Sequence, residues 1–178
     1  MFATYAARVA LAMARDLPKK RSPFFQELRL PMRVWPTDID LYFHMNNGAY
    51  LTLMDAGRYQ LSVRTGLAEL MVKKRTWPLL GGAIIRFRRE LGLLDRFELV
   101  TRLLGWDGKW FFVEQRFERG GYVHAAAIVE AVMRKGGRSL PFAEIAEALG
   151  VHEPSPPLPD LETWKKVFAG RDRREGTA

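Results

Sequence analysis

The feature that most restricts what this chain can fold into is a tandem of three long apolar runs in its second half, divided by turns too short to hold anything but neighbouring antiparallel strands. Phe97 to Trp106, Trp110 to Phe117 and Val123 to Arg134 are rich in Val, Ile, Phe and Trp. Asp107-Gly108 is a two-residue hairpin signal between the first two, and Gly120-Gly121 separates the second from the third. In the middle run Phe111, Val113 and Phe117 alternate with Glu114 and Arg116, as in a strand buried on one face. A sheet with one wet face needs an apolar layer on the other.

Upstream lies a segment suited to be that layer. From about Asn47 to Arg64, Tyr50, Met54, Gly57 and Leu61 recur at helical spacing, with Leu53 widening the stripe. Gly57 costs helix propensity of about 1 kcal/mol. Its place on the buried stripe predicts that sheet backbone approaches closely there. Gly66 is positioned to end the helix. Before it, Glu27 to Val34 reads as a strand closed by Pro36, which lacks the N–H a ladder needs. Strand, helix, then a meander of long strands makes an α+β layer: one long central helix against one curved antiparallel sheet.

A length of 178 residues suits one domain with a full core. We divide it into an N-terminal extension, residues 1–24, a core domain, 25–136, and a C-terminal extension, 137–178. In the first, Phe2, Tyr5, Val9 and Met13 share a helical face. Arg8 and Arg15 interrupt any apolar run long enough for a signal peptide or a spanning helix. With Lys19, Lys20 and Arg21 behind it, this segment either packs on the domain, stays disordered, or makes weak contact with a membrane surface. In the last, Phe142 to Leu149 suits a short helix stopped by Gly150, Ser155 to Pro159 an extended linker, and Leu161 to Phe168 another helical turn or two. The final residues, from Gly170, have nothing to bury.

Between the first strand and the helix runs TDIDLYFHMNNGAYL, Thr37 to Leu51, with two carboxylates, an imidazole and two carboxamides between Asp38 and Asn47. Asn46 and Asn47 both suit a helix N-cap, so the helix would start here and turn free N–H groups toward Asp40 and His44. That arrangement suits a reaction in which negative charge develops on oxygen. Each residue also has a plainer reading: Asp38 and Asp40 as turn residues holding backbone N–H groups, Asn46 as a cap, His44 as a buried imidazole bonded to backbone.

There are no cysteines, which excludes disulfides, thiolate nucleophiles and zinc–thiolate sites and permits a cytoplasmic home. Three histidines far apart in sequence argue against a metal centre. The net charge of +8 favours polyanions: nucleic acid, anionic lipid or a phosphate-bearing cofactor. No nucleic-acid-binding motif surrounds the basic groups.

The pattern Asp38, Asp40, His44, Asn46, Asn47, Tyr50 resembles the signature of hotdog-fold acyl-CoA thioesterases, the 4-hydroxybenzoyl-CoA thioesterase group. Phe97 to Phe117, FELVTRLLGWDGKWFFVEQRF, is most similar to the thioesterase superfamily member six branch. The resemblance covers about residues 28 to 135. It implies the hotdog fold, which the element order suggests independently, and hydrolysis of an acyl-CoA to a carboxylic acid and CoA. The second Asp of the pair would be the catalytic carboxylate, here Asp40, as general base or nucleophile. An ordinary Asp, with a pKa of about 3.9, must be partly desolvated to serve as a base. His44 would orient it or handle protons, and the oxyanion would sit near Asn47, Gly48 and Ala49.

In a related carrier-protein thioesterase pattern Asp, Asn and His alternate. Tyr42 stands here where that pattern has Asn, and a phenol cannot copy a carboxamide. Another hotdog branch uses a helix carboxylate; Asp55 is the candidate, and a pairing with Arg58 explains it without catalysis. Tyr42, Asn46, Gly48 and Tyr50 are the expected substrate contacts, and Arg86 and Arg88, beside Arg89, are either phosphate ligands for CoA or an exposed strand face. Leu79, Leu80, Ile84 and Ile85 either line an acyl channel or join the core. No cofactor beyond the CoA of the substrate is expected. Relatives of this type place the site at a dimer interface, which implies a homodimer or a dimer of dimers. The alternative is a non-catalytic acyl-CoA or lipid-binding protein of the same fold.

Overall fold

The turn glycines take the backbone geometry their positions call for. Gly108, Gly120 and Gly121 have φ of 57°, 57° and 79°, and the strands they join pair Asp107 with Trp110 and Arg119 with Tyr122. The computed structural model describes residues 2–16 and 20–158. In chain order they form α1 (Phe2–Asp16), β1 (Leu28–Arg33), α2 (Asn47–Thr65), α3 (Leu67–Lys74), β2 (Trp77–Phe87), β3 (Arg96–Asp107), β4 (Trp110–Arg119), β5 (Tyr122–Lys135), β6 (Arg138–Leu140) and α4 (Phe142–Ala148). The strands make one antiparallel sheet in the order β1-β3-β4-β5-β2, with β6 on β5, and it curls around α2. This is the hotdog arrangement.

The helix stripe is buried as its spacing predicts. Tyr50, Leu53, Met54 and Ala56 pack on Leu30, Leu99, Phe117 and the small residues Ala125 and Ala127 of β5. Each large apolar side chain buried this way contributes about 1.5–3 kcal/mol. Gly57 is where helix and sheet come closest: a Cβ there would lie 2.3 Å from Thr101 Oγ1 and 2.8 Å from Gln115 Nε2. A second cluster joins Leu61, Leu67 and Met71 to Phe111, Phe142 and Ile145, so α4 closes the far end of the core.

The described parts of both extensions, residues 2–16 and 20–24 and residues 137–158, lie against the domain. Arg8 of α1 reaches Asp38 and Arg33 O, the Tyr5 hydroxyl donates to Asp55 Oδ2 at 3.1 Å, and Val9 packs on the core. Of the alternatives for this segment, packing on the domain is the one observed. The side chains of Phe2 and Met13, and Lys19, fall outside the described residues. The expected linker is instead a strap on β3: Ser155 Oγ accepts the Trp106 N–H at 2.8 Å, beside Gly105, where a Cβ would meet that hydroxyl. The helical turn expected over 161–168 and the tail beyond it lie outside the described residues.

Three elements have no counterpart in the sequence reading, the short strand β6 among them. Gly66, at φ 81°, ends α2 and at once starts α3, so one left-handed residue makes a corner between two helices. Residues Trp77–Phe87 form an edge strand with a bulge between Leu80 and Gly82. Leu79 and Leu80 are therefore about half exposed, at 51% and 49%. They are not core, whereas Ile85, farther along the same strand, packs against it. Among the described residues no helix is long and apolar enough to cross a membrane.

Candidate active site

The loop between β1 and α2 is built on two carboxylates with different tasks. Asp38 is buried, accepts the Trp35 N–H at 2.8 Å and binds the Arg8 guanidinium at 2.8–2.9 Å. It ties the loop base to α1, the turn-holding role. Beyond it Ile39 and Met45 form a bridge, and Asp40 N–H donates to His44 O at 2.9 Å. Phe43 N–H closes on Asp40 O at 3.1 Å, and Phe43 takes φ 63°. This is a three-residue hairpin whose last tip residue is left-handed without being glycine. It drives Leu41, Tyr42 and Phe43 outward, all at least 79% exposed.

Within that hairpin the Asp40 carboxylate is half committed. Oδ1 accepts N–H groups from Tyr42 at 2.9 Å and His44 at 3.4 Å. Oδ2 has no hydrogen-bond partner among the described residues and belongs to a side chain lining a cavity of about 380 Å³. That volume lies within the range of small-molecule sites. The same cavity is lined by His44, Asn47, Tyr42 and Tyr50, and across from them by Phe87, Arg88, Arg89 and Glu90. The carboxylate and the start of the helix thus share one recess.

His44 is not the buried, backbone-bonded imidazole. Its ring is half exposed, and Nε2 lies 3.0 Å from Glu90 Oε2. Glu90 was missed from sequence because nothing in its spacing points to the loop; the bridge between His44 and Gly92 brings them together. Tyr50 forms the floor, buried between the rings of Phe87 and Phe117. Burial pushes its phenol pKa up, the nearby Glu90 charge adds to this, and a hydrogen bond with the Leu91 backbone offsets part of it. On the opposite wall Arg89 stacks over the Tyr122 ring at 4.2 Å, and the Arg88 guanidinium has no partner among the described residues.

The helix start is narrower as an anion site than the three residues expected. Asn46 is the N-cap, its Oδ1 taking the Gly48 N–H at 2.8 Å and its carbonyl the Ala49 N–H at 2.9 Å. That leaves the Asn47 N–H. Asn46 and Gly48 line an adjacent cavity of about 340 Å³ with Arg8, Asp38 and Thr52. Arg86 lines neither cavity: it alternates with Phe87 along β2 and so projects from the opposite face. A groove of about 1010 Å³ crosses the other sheet edge and contains neither Asp40 nor His44.

Comparison with known proteins bears on the family and the fold. The family model of the thioesterase-like superfamily matches residues 34–162. Protein THEM6 of Xenopus laevis is 46% identical over 84 residues, which is 47% of this chain and 41% of that protein. The chain spans about half the length of the curated relatives it matches. Among solved structures, the probable thioesterase YbaW from Escherichia coli superposes with a TM-score of 0.64 at 21% identity, over 70% of this chain and 96% of that one. BH1999, a gentisyl-coenzyme A thioesterase, superposes with a TM-score of 0.59 at 20% identity, over 67% and 98%.

Proposed function

The chain belongs to the thioesterase-like superfamily, and from that premise we propose that it hydrolyses acyl-CoA thioesters, with Asp40 as the reacting carboxylate. The observation that carries this is a carboxylate with one oxygen anchored by two backbone N–H groups and the other free, in the recess where α2 begins. Oδ2 either attacks the thioester carbonyl or takes a proton from the water that does. In both routes the C–S bond breaks and the CoA sulfur leaves with the electron pair; after direct attack, water then cleaves the anhydride left on Asp40, releasing the carboxylic acid and restoring the carboxylate. The Asn47 N–H supports the developing oxyanion. His44, held by Glu90, orients Asp40 and carries the proton to the sulfur.

Arg88, on the cavity wall, is the phosphate ligand for CoA, and the CoA named for BH1999 is of the class we assign here. Arg86 faces away from the cavity and meets a substrate only where it wraps the β2 edge. No cofactor is called for beyond the CoA of the substrate. Among the described side chains of α1, Leu11 is a large apolar one left exposed, sufficient for weak contact with a lipid surface.

The working unit is a homodimer joined through β2. The β1 edge is blocked: Arg8 donates to Arg33 O, Gln60 to Arg29 O, and Pro31 has no N–H to offer. The β2 edge is long and carries exposed Trp77, Leu79, Leu80 and Phe87. Such an edge invites pairing with a second copy. Phe87 also lines the Asp40 cavity, so a partner on that edge completes its rim.

Incubation with a panel of acyl-CoAs and a thiol-detecting dye tests the reading. Wild type should release thiol, Asp40→Asn should lose it by about a hundredfold or more, and His44→Ala should be slower while keeping its circular dichroism spectrum. Thermal stabilisation by acyl-CoA with no thiol released would replace this reading by that of a non-catalytic acyl-CoA binder.

A further inference from the structure

On the outer face of the sheet two arginines oppose one another with no carboxylate of the described residues between them. Arg33 ends β1, Arg96 begins β3, and the register pairs them across the ladder. Like charges opposed on adjacent strands repel. The same face shows how this fold resolves such a pair when the partner is internal. Glu98 and Glu118 are also register partners, and the Arg29 guanidinium bridges them at 2.8 and 2.9 Å. Nearby cations are likewise committed, Arg8 to Asp38 and Arg119 to Asp95. Arg33 and Arg96 have no such partner among the described residues.

Both arginines line the groove of about 1010 Å³, which runs between α1, the β1 edge and the turn joining β4 to β5. Its walls carry apolar side chains, and its floor carries Arg33 and Arg96 beside Glu98 and Glu118, whose carboxylates are already engaged by Arg29. Leu11 of α1, Trp35 of the loop after β1 and Tyr122 of β5 face it at 54%, 50% and 57% exposure. Isolated exposed apolar residues need no explanation, but an apolar patch framing a pair of unopposed cations has a specific chemistry. It matches a ligand with an anionic head and a hydrocarbon body.

We propose that this groove binds an amphiphilic anion, its carboxylate or phosphate head between Arg33 and Arg96 and its chain along Leu11, Trp35 and Tyr122. Planar guanidiniums grip such heads through paired N–H donors. A ligand there does for Arg33 and Arg96 what Arg29 does for Glu98 and Glu118. The groove shares no lining residue with the Asp40 cavity, although Arg89 of that cavity stacks on Tyr122 of the groove, and the proposal does not rest on the thioesterase reading.

Titration calorimetry on the full chain with laurate, dodecyl phosphate, dodecanol and inorganic phosphate tests it, using wild type, Arg33→Gln, Arg96→Gln, the double variant and Asp40→Asn. Laurate or dodecyl phosphate should bind wild type and Asp40→Asn alike, and at least tenfold more weakly to the double variant. The tighter of the two identifies the head. Dodecanol and inorganic phosphate should bind at least tenfold more weakly than that amphiphile. Equal binding to the double variant, loss in Asp40→Asn instead, no binding of either amphiphile, or phosphate as tight as dodecyl phosphate would each overturn the proposal. Without ligand, Arg96→Gln or Arg33→Gln should melt higher than wild type at low ionic strength, since repulsion is removed. A lower melting temperature in both would remove its electrostatic basis.

Discussion

At the scale of single residues, Gly57 shows most directly how packing overrides local preference. A methyl group there would meet Thr101 Oγ1 at 2.3 Å. Thr101 is fully buried, and so is Gln115, which donates to Met54 O at 2.8 Å and to Thr101 Oγ1 at 3.1 Å while accepting from Arg58 at 2.6 Å. The intruding carbon would have to break that polar ladder in the core. Gly57→Ala should therefore destabilise by about 2–4 kcal/mol in urea unfolding, although alanine is the better helix former by about 1 kcal/mol. A net gain in stability would show that the ladder yields freely. A close approach here was legible in the sequence, because a glycine on a buried helical stripe has few other reasons to be there, but what approaches is the side chains of Thr101, Gln115 and Leu99 and not the expected sheet backbone. Glu90 was not legible: its partner His44 lies on the far side of α2 in sequence, and no spacing rule links the two loops.

At the scale of elements, the outer face of β1, β3 and β4 is held by a charge network rather than by apolar packing. Arg116 contacts Glu27, Glu114 and Glu118, and Arg29 joins Glu118 to Glu98. Burial pushes the Glu118 carboxyl up, but hydrogen bonds from Arg116 and Arg29, with their charges, outweigh it and leave it below the ordinary value of 4.5. A carboxyl whose pKa is lower folded than unfolded stabilises fully above the unfolded pKa and loses that contribution as pH falls through the folded one. Glu118→Gln should be less stable than wild type near neutrality, and the gap should close as pH falls below about 4.5. Thermal melts across that range measure it; a gap independent of pH would assign the loss to shape and not to charge. The meander was legible because alternation and Gly-containing turns are local signals. The strand β2 was not, since Pro78, Gly81 and Gly82 interrupt its pattern, and Gly81 is needed to let the Trp110 ring pass at 2.3 Å from where a Cβ would be. Nor was α3, because Gly66 reads as an end and serves also as a beginning.

At the scale of the whole molecule, the two sheet edges are unequal, and that inequality is the basis of the homodimer proposed above. One edge is stopped by Arg8, Gln60 and Pro31, the other presents eleven residues of strand with large apolar side chains exposed. Leu79→Lys with Leu80→Glu should convert a dimer to a monomer in light scattering and reduce thiol release with it. A monomer with full activity would separate the site from the second copy. The chain's own letters decided the succession of β1, α2 and the meander β3 to β5, the helix stripe, the hairpin turns and the short stretch that carries Asp40, His44 and Asn47, because each follows from residues within a few positions of one another. Only the folded sheet decided that His44 meets Glu90, that Arg33 opposes Arg96, and that Arg86 turns away from the cavity that Arg88 lines. Those relations follow from strand register and curvature, which are settled by contacts between distant segments and leave no periodic trace in either.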